Sequence, residues 1–256
     1  MKLYCWNTNG IRAAARHGML DWLTTVSPDI LCIQETKVSD TSVLAPEVFV
    51  PEGYHSYWNW PAEKKGYSGV CIYTKEKPLK VEKGFGIAQW DGEGRVLVAH
   101  YDSFVLLNVY FPNGKQNADR LAYKMGFYDA FLSFCDNLKK QKKRLVMCGD
   151  YNTAHTEIDL AHPKENQNTS GFLPQERAWL DTYIAHGYVD TLRMFHPEAG
   201  LYSWWDVKTR ARERNVGWRI DYVFVSDTLK DNVADAFICA DVTGSDHCPI
   251  GVDIAV

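Results

Sequence analysis

Four short apolar runs in this chain each end on polar side chains: Leu3-Tyr4-Cys5-Trp6-Asn7, Ile30-Leu31-Cys32-Ile33-Gln34-Glu35, Leu106-Leu107-Asn108-Val109-Tyr110 and Leu145-Val146-Met147-Cys148-Gly149-Asp150. Runs of this length and character read as strands. The full set of β-type runs is Leu3–Asn7, Ile30–Glu35, Val70–Lys75, Val96–Tyr101, Val105–Phe111, Leu145–Asn152, Ile220–Ser226 and Ile250–Val256. Helical spacing appears over Met19–Thr25, Asp119–Leu138 and Gln175–His186. It is clearest in the second, where Leu121, Met125, Tyr128, Leu132 and Cys135 recur at intervals of three and four. Strands outnumber helices, and the runs between 96 and 111 suggest a hairpin. This predicts an α+β chain with sheets packed face to face and helices outside. Strand ends of packed sheets can meet at one rim. A rim of Asn, Glu, Tyr and Asp has the make-up of a functional site.

Composition narrows the partners. With 256 residues, 46% hydrophobic and 23% charged, the chain can bury a large core, and general disorder is excluded. The net charge of −4 provides no global positive field, so a polyanion has to be held by a local basic patch or by bound cations. Polar residues interrupt every apolar run before 18 residues, so neither secretion nor a membrane span is expected. Seven cysteines without a CxxC, most of them in apolar runs, fit buried reduced thiols in a cytoplasmic protein. No linker or repeat divides the sequence, so one domain is expected over residues 1–256.

Three constellations can carry chemistry. Glu35, Asp150, Asn152, Asp246 and Asn7 are oxygen donors suited to Mg²⁺ or Mn²⁺. The eight histidines form no HExxH motif, which disfavours zinc. Any one of these acids alone is more often a turn or cap, but five at strand ends together point to a site. In Gly244-Ser245-Asp246-His247-Cys248-Pro249 a carboxylate adjoins an imidazole, which can serve as base or as donor to developing charge. Ser245 lacks a GxSxG context, and no Walker A or GxGxxG motif is present. Residues 208–219 hold Lys208, Arg210, Arg212, Arg214 and Arg219 against one acid, with Trp204, Trp205 and Trp218 beside or among them. Cations beside rings suit a nucleic-acid surface, and a solvated loop over buried tryptophans suits the pattern equally. Lys139–Arg144 is also basic, but it follows a helix, where cations suit the dipole.

Taken in order, the blocks WNTNGIR at 6–12, IQETK at 33–37, GYSGV at 66–70, VYFPNG at 109–114, CGDYNTAH at 148–155, SGFLP at 170–174, NVGWRIDY at 215–222 and GSDHCP at 244–249 cover nearly the whole chain. They resemble the exonuclease III / apurinic–apyrimidinic (AP) endonuclease family of the endonuclease–exonuclease–phosphatase superfamily. The QE, GDxN and SDH elements are shared across that superfamily, whereas NVGWRIDY, SGF and YFPNG point to its DNA-repair branch. The resemblance implies a four-layer α/β sandwich, two packed mixed β-sheets flanked by helices, with the active site at one rim. It also implies Mg²⁺-dependent hydrolysis of the phosphodiester 5′ to an abasic site, with Mn²⁺ as substitute, and 3′-exonuclease or 3′-phosphodiesterase activity. The expected partner is double-stranded DNA with abasic or 3′-blocked sites, no membrane is involved, and the chain is a monomer.

Residue by residue, the resemblance makes Glu35 the principal metal ligand with Asn7 beside it, and adds Asp150, Asn152, Asp246 and His247 as further metal or water contacts. Asp150 would activate the attacking water and Asn152 would orient it. His247 would touch the scissile phosphate, fixed by Asp221, and Tyr110 would add a phenol. Asn113, Asn166, Lys208 and Arg210 would hold DNA, and Trp204, Trp218 and Ile220 would form a pocket for a flipped-out sugar. Asn9 stands where some members carry Asp, and Val207-Lys208 replaces bulkier apolar residues. Two other readings stay open. A phosphodiesterase for a small or lipid phosphate would share the metal site without needing residues 208–219, and a non-catalytic DNA-binding module would use the acids structurally.

Overall fold

The computed structural model describes all residues, Met1–Val256. Strands β1 (Lys2–Asn7), β2 (Ile30–Gln34), β3 (His55–Asn59), β4 (Val70–Thr74), β5 (Lys80–Lys83), β6 (Val96–His100) and β7 (Val105–Tyr110) fill the first half of the chain. After them come β8 (Leu145–Asp150), β9 (Tyr188–Asp190), a short ribbon of β10 (Trp204–Trp205) and β11 (Gly217–Trp218), then β12 (Asp221–Ser226), β13 (Val233–Ile238) and β14 (Ile250–Ile254). Two six-stranded sheets result, in the orders β13-β14-β1-β2-β4-β3 and β5-β6-β7-β8-β12-β9. Each is mixed. The pair at its centre, β1 with β2 and β7 with β8, is parallel and all other pairs are antiparallel. The expected hairpin is β6–β7.

The sheets pack face to face, and alternation along each strand sorts the side chains. In β1, Leu3 and Cys5 enter the core between the sheets, where Cys32, Leu106, Val146, Cys148 and Val252 meet them. Tyr4 and Trp6 point outward, under α1 (Ile11–Arg16) and α2 (Met19–Val26). The short helices α3 (Pro46–Phe49) and α4 (Ala88–Asp91) precede the long α5 (Ala118–Lys140), and α6 (Pro174–Ala185) and α7 (Thr191–Phe195) follow it. The far face of the second sheet lies under α5 and α6 through Phe127, Phe131, Trp179 and Tyr183. This is the four-layer sandwich. It explains why strands buried on both faces read as continuous apolar runs rather than alternating ones.

Two details go beyond the sequence reading. The buried face of α5 centres on Lys124, Phe127, Phe131, Cys135 and Leu138, with Leu121, Met125 and Leu132 only partly covered. A lysine can join that face because Lys124 Nζ meets Glu176 Oε1 at 2.5 Å, both side chains being fully buried. Asn108, inside the run that ends on Tyr110, stitches the sheets together. It accepts from Gln34 Nε2 at 2.7 Å and donates to the Cys71 carbonyl at 2.7 Å. All seven cysteines are unpaired, six buried and Cys239 partly so. No helix is long and apolar enough to cross a membrane.

Candidate active site

The central parallel strands all finish at the same rim, placing Glu35, Tyr110 and Asp150 around one cavity with Asn7 hydrogen-bonded behind them. Ligand sites in open α/β sheets favour the carboxyl ends of parallel strands for the same reason: the chain must leave the sheet there, and its side chains converge. Glu35 follows the last residue of β2 with φ +53°, and Asn152 follows β8 with φ +52°, so two non-glycine residues at the rim adopt the left-handed conformation. Such conformations cost free energy and cluster at functional sites. Between them, Gly149 is packed so tightly on β7 that a Cβ would sit 1.7 Å from the Val109 carbonyl oxygen.

Two carboxylates flank a buried imidazole. His247 Nδ1 lies 2.8 Å from Asp221 Oδ2, and Nε2 lies 3.9 Å from Asp150 Oδ2. Ser203 Oγ donates to the same Asp221 oxygen at 2.6 Å. Burial alone would lower the pKa of His247, but Asp221, then Asp150 and Asp246, outweigh it and push the value up to about 10. Burial and the charge of Asp221 lift Asp150 to about 7, against the pull of His247 and the donors on Asn152 and Asn7. Asn7 Nδ2 reaches Asp150 at 2.8 Å and Glu35 at 3.3 Å, and the Asn152 amide N–H reaches Asp150 Oδ1 at 2.7 Å. Tyr110 closes this side. Burial and Glu35 hold its phenol protonated, while the guanidinium of buried Arg95 stands 4.6 Å from its ring and partly opposes them.

Opposite lies the apolar wall. Trp204 and Trp218 meet edge to face at 6.5 Å between ring centroids, with Ile220 behind them. Trp204 Nε1 donates to Asp246 Oδ2 at 3.0 Å, which ties the wall to the polar rim. The cavity between has a volume of about 250 Å³. Asn113 stands at its edge and donates to Asn152 Oδ1 at 3.1 Å. Asn166 lies away from it, its side-chain amide donating to the His162 carbonyl within its own loop.

The donor set fits a hard cation, with differences among the six expected ligands. Glu35 is only partly buried, and its Oε1 already faces a positive group, the Lys37 ammonium at 3.1 Å. Asp246 offers a second carboxylate on the far side. Asn7 and Asn152 are oriented as amide donors to carboxylates, and both ring nitrogens of His247 are turned to carboxylates. Asp150, Asp221 and His247 bring ligand atoms within 4.8 Å of one another, an arrangement able to hold a cation or a proton. The 2.8 Å hydrogen bond between His247 Nδ1 and Asp221 Oδ2 favours the proton.

The basic segment divides. Lys208 and Arg210 are exposed, and neither lines the cavity. Arg212 instead lies over the Trp205 ring and donates to the carbonyls of Ala240 and Val242. Arg219 is buried against Asp159 and Asp190. Sequence proximity alone cannot separate these, because the segment passes from exposed at 207–210 to buried at 219–222. Ser203, Lys37 and Lys115 were not singled out in the sequence. Lys115 is the notable case: its ammonium stands 5.3 and 5.8 Å from the rings of Trp204 and Trp218, two residues after Asn113.

Residues 5–247 match the model of the endonuclease/exonuclease/phosphatase family. The chain belongs to that family. It is 45% identical to the exodeoxyribonuclease of Bacillus subtilis, with all of both chains covered. It is 40% identical to the DNA repair nuclease APEX1 of Danio rerio, covering all of this chain and 83% of the other. A solved AP endonuclease from Archaeoglobus fulgidus superposes with a TM-score of 0.89 at 29% identity over the full length of both. The family likeness drawn from the sequence motifs and the four-layer sandwich both hold.

Proposed function

We propose that this chain is a divalent-cation-dependent DNA-repair nuclease, a single catalytic unit over 1–256 that hydrolyses the phosphodiester 5′ to an abasic site. One observation carries the reading: the apolar Trp204–Trp218–Ile220 wall faces the Asp150–His247 pair across a cavity large enough for one sugar–phosphate. A sugar lacking its base is cheap to extrude and apolar enough for such a wall. The names of the relatives support DNA as substrate, and the exodeoxyribonuclease name supports an exonuclease activity in addition.

In this mechanism Asp150 takes the proton of the attacking water, and the amide of Asn152 orients that water. His247, held as imidazolium by Asp221, donates to the phosphate oxygen on which charge develops. The Tyr110 phenol gives a second donor. Glu35, with Asp246 opposite, would hold Mg²⁺ or Mn²⁺, which supplies charge neutralisation at the phosphate and at the leaving 3′-oxygen. Asn113, Lys208 and Arg210 bind the flanking backbone. Comparing turnover of a duplex bearing one abasic site with turnover of a small phosphodiester tests the reading. Preference for the duplex by several orders of magnitude is expected, and equal turnover would favour the small-substrate alternative.

A further inference from the structure

Behind the pair of His247 and Asp221, on the side away from the cavity, the second oxygen of Asp221 is buried and has no hydrogen-bond partner. Oδ2 takes both His247 and Ser203, which leaves Oδ1 alone. Arg219 and Asp190 border the same small cavity as Asp221. Arg219 Nε is spent on Asp159 at 2.7 Å. Its Nη2 lies 2.8 Å from Asp190 Oδ2, yet neither Nη group makes an aligned hydrogen bond, and both Asp190 oxygens are likewise unpartnered. Asp190, Arg219 and Asp221 line a small cavity of about 10 Å³, together with Ala236, Ile238 and Ile250 from the opposing sheet. All three polar residues are less than a tenth exposed.

Buried carboxylate oxygens and guanidinium hydrogens without partners are rare in folded proteins, and a resident water is the usual remedy. The volume suits one water, and the walls supply acceptors and donors in the number such a water uses. We propose that a single buried water occupies this cavity, accepting from Arg219 and donating to Asp221 Oδ1 and Asp190, and that Arg219 and Asp190 are positioning residues holding Asp221 against His247 through it. Without it, Asp221 is fixed on one oxygen only and can turn about its Cβ–Cγ bond, carrying His247 with it. Arg219 therefore belongs to the machinery, from behind rather than on the DNA surface. The kinetic consequence rests on the nuclease reading above, whereas the water site does not.

Two measurements on the full chain test this. A high-resolution crystal structure of the wild-type protein should show one ordered water at about 2.6–3.2 Å from Asp221 Oδ1; no density there overturns the proposal. Ala236→Val fills the cavity without removing any polar group. It should lower kcat on abasic duplex by about 10–100-fold, as loss of a supporting partner behind a catalytic group does, with KM within about twofold of wild type. Asp190→Asn should fall in the same direction. A merely structural role predicts a lower melting temperature with kcat per folded molecule unchanged, and that result overturns the positioning role. If the wild type shows the water but cleaves no abasic duplex, the nuclease reading fails and the water site stands.

Discussion

His247 and Asp221 share a hydrogen bond of 2.8 Å between Nδ1 and Oδ2, with both side chains nearly sealed from solvent. Register brings them together: β12 runs beside β8 with Asp221 opposite Asp150, and the segment before β14 carries His247 over the top of both. The imidazole therefore sits between two carboxylates, one holding it protonated and oriented and the other facing the reaction.

The pH dependence follows from this arrangement. His247 is pushed up from 6.5 to about 10 in the folded protein. A raised histidine adds stability that is fully present below pH 6.5 and lost as pH rises through about 10. The wild-type alkaline limb of kcat is expected near pH 10. Asp221→Asn should move that limb down towards the ordinary histidine value and lower kcat at pH 8 by about 10²–10⁴. A pH–rate profile checks it, and an unmoved limb would show that Asp221 does not hold the proton.

Salt dependence reads the DNA surface. Neutralising Lys208 and Arg210 together should flatten the slope of log K against log salt for abasic duplex by up to about two units, near 0.9 per phosphate contact. Arg212→Met should leave the slope unchanged, because its guanidinium is committed to the carbonyls of Ala240 and Val242. Binding titrations at several KCl concentrations decide between a phosphate-binding segment and a solvated loop.

Stability tests the support beneath the rim. Lys124 donates to the Asn152 carbonyl at 2.8 Å and pairs with Glu176, which also accepts from the backbone of Gly171 and Leu173. Lys124→Met would leave Glu176 buried without its cation, at a cost of about 3–5 kcal/mol. Thermal unfolding should then begin roughly 6–20 °C lower. A shift of only about 1 °C would mean that Glu176 finds another partner.

Much of this site is legible in sequence because an apolar run that stops on Asn, Glu, Tyr or Asp marks where a buried strand emerges. The same pattern is silent on Asn108, inside one of those runs, since only sheet register reveals that it faces Gln34. Strands β3 and β5 escape notice because edge strands such as His55–Asn59 and Lys80–Lys83 are half exposed and carry little apolar signal. Arg219 is misread for a related reason: its charge suggests a surface, while its two buried acids lie 60 and 29 residues away in the chain, at Asp159 and Asp190.

Cation dependence follows from an oxygen donor set centred on Glu35. EDTA should abolish cleavage, and Mg²⁺ or Mn²⁺ should restore it. Glu35→Gln should raise the Mg²⁺ concentration needed for half-maximal activity by about 10-fold or more, since a charged ligand becomes neutral. Unchanged activity in EDTA would remove the metal from the mechanism.

The central claim is that Asp150 activates the water that breaks the bond 5′ to an abasic sugar. The most direct measurement is single-turnover incision of a duplex with one abasic site, in Mg²⁺, by wild type and by Asp150→Asn. The account predicts a metal-dependent cut leaving a 3′-hydroxyl, slowed by about 10²–10⁴ in the variant while duplex affinity stays near that of wild type. Incision by Asp150→Asn within about twofold of the wild-type rate, well short of the loss that removing a general base produces, would contradict it.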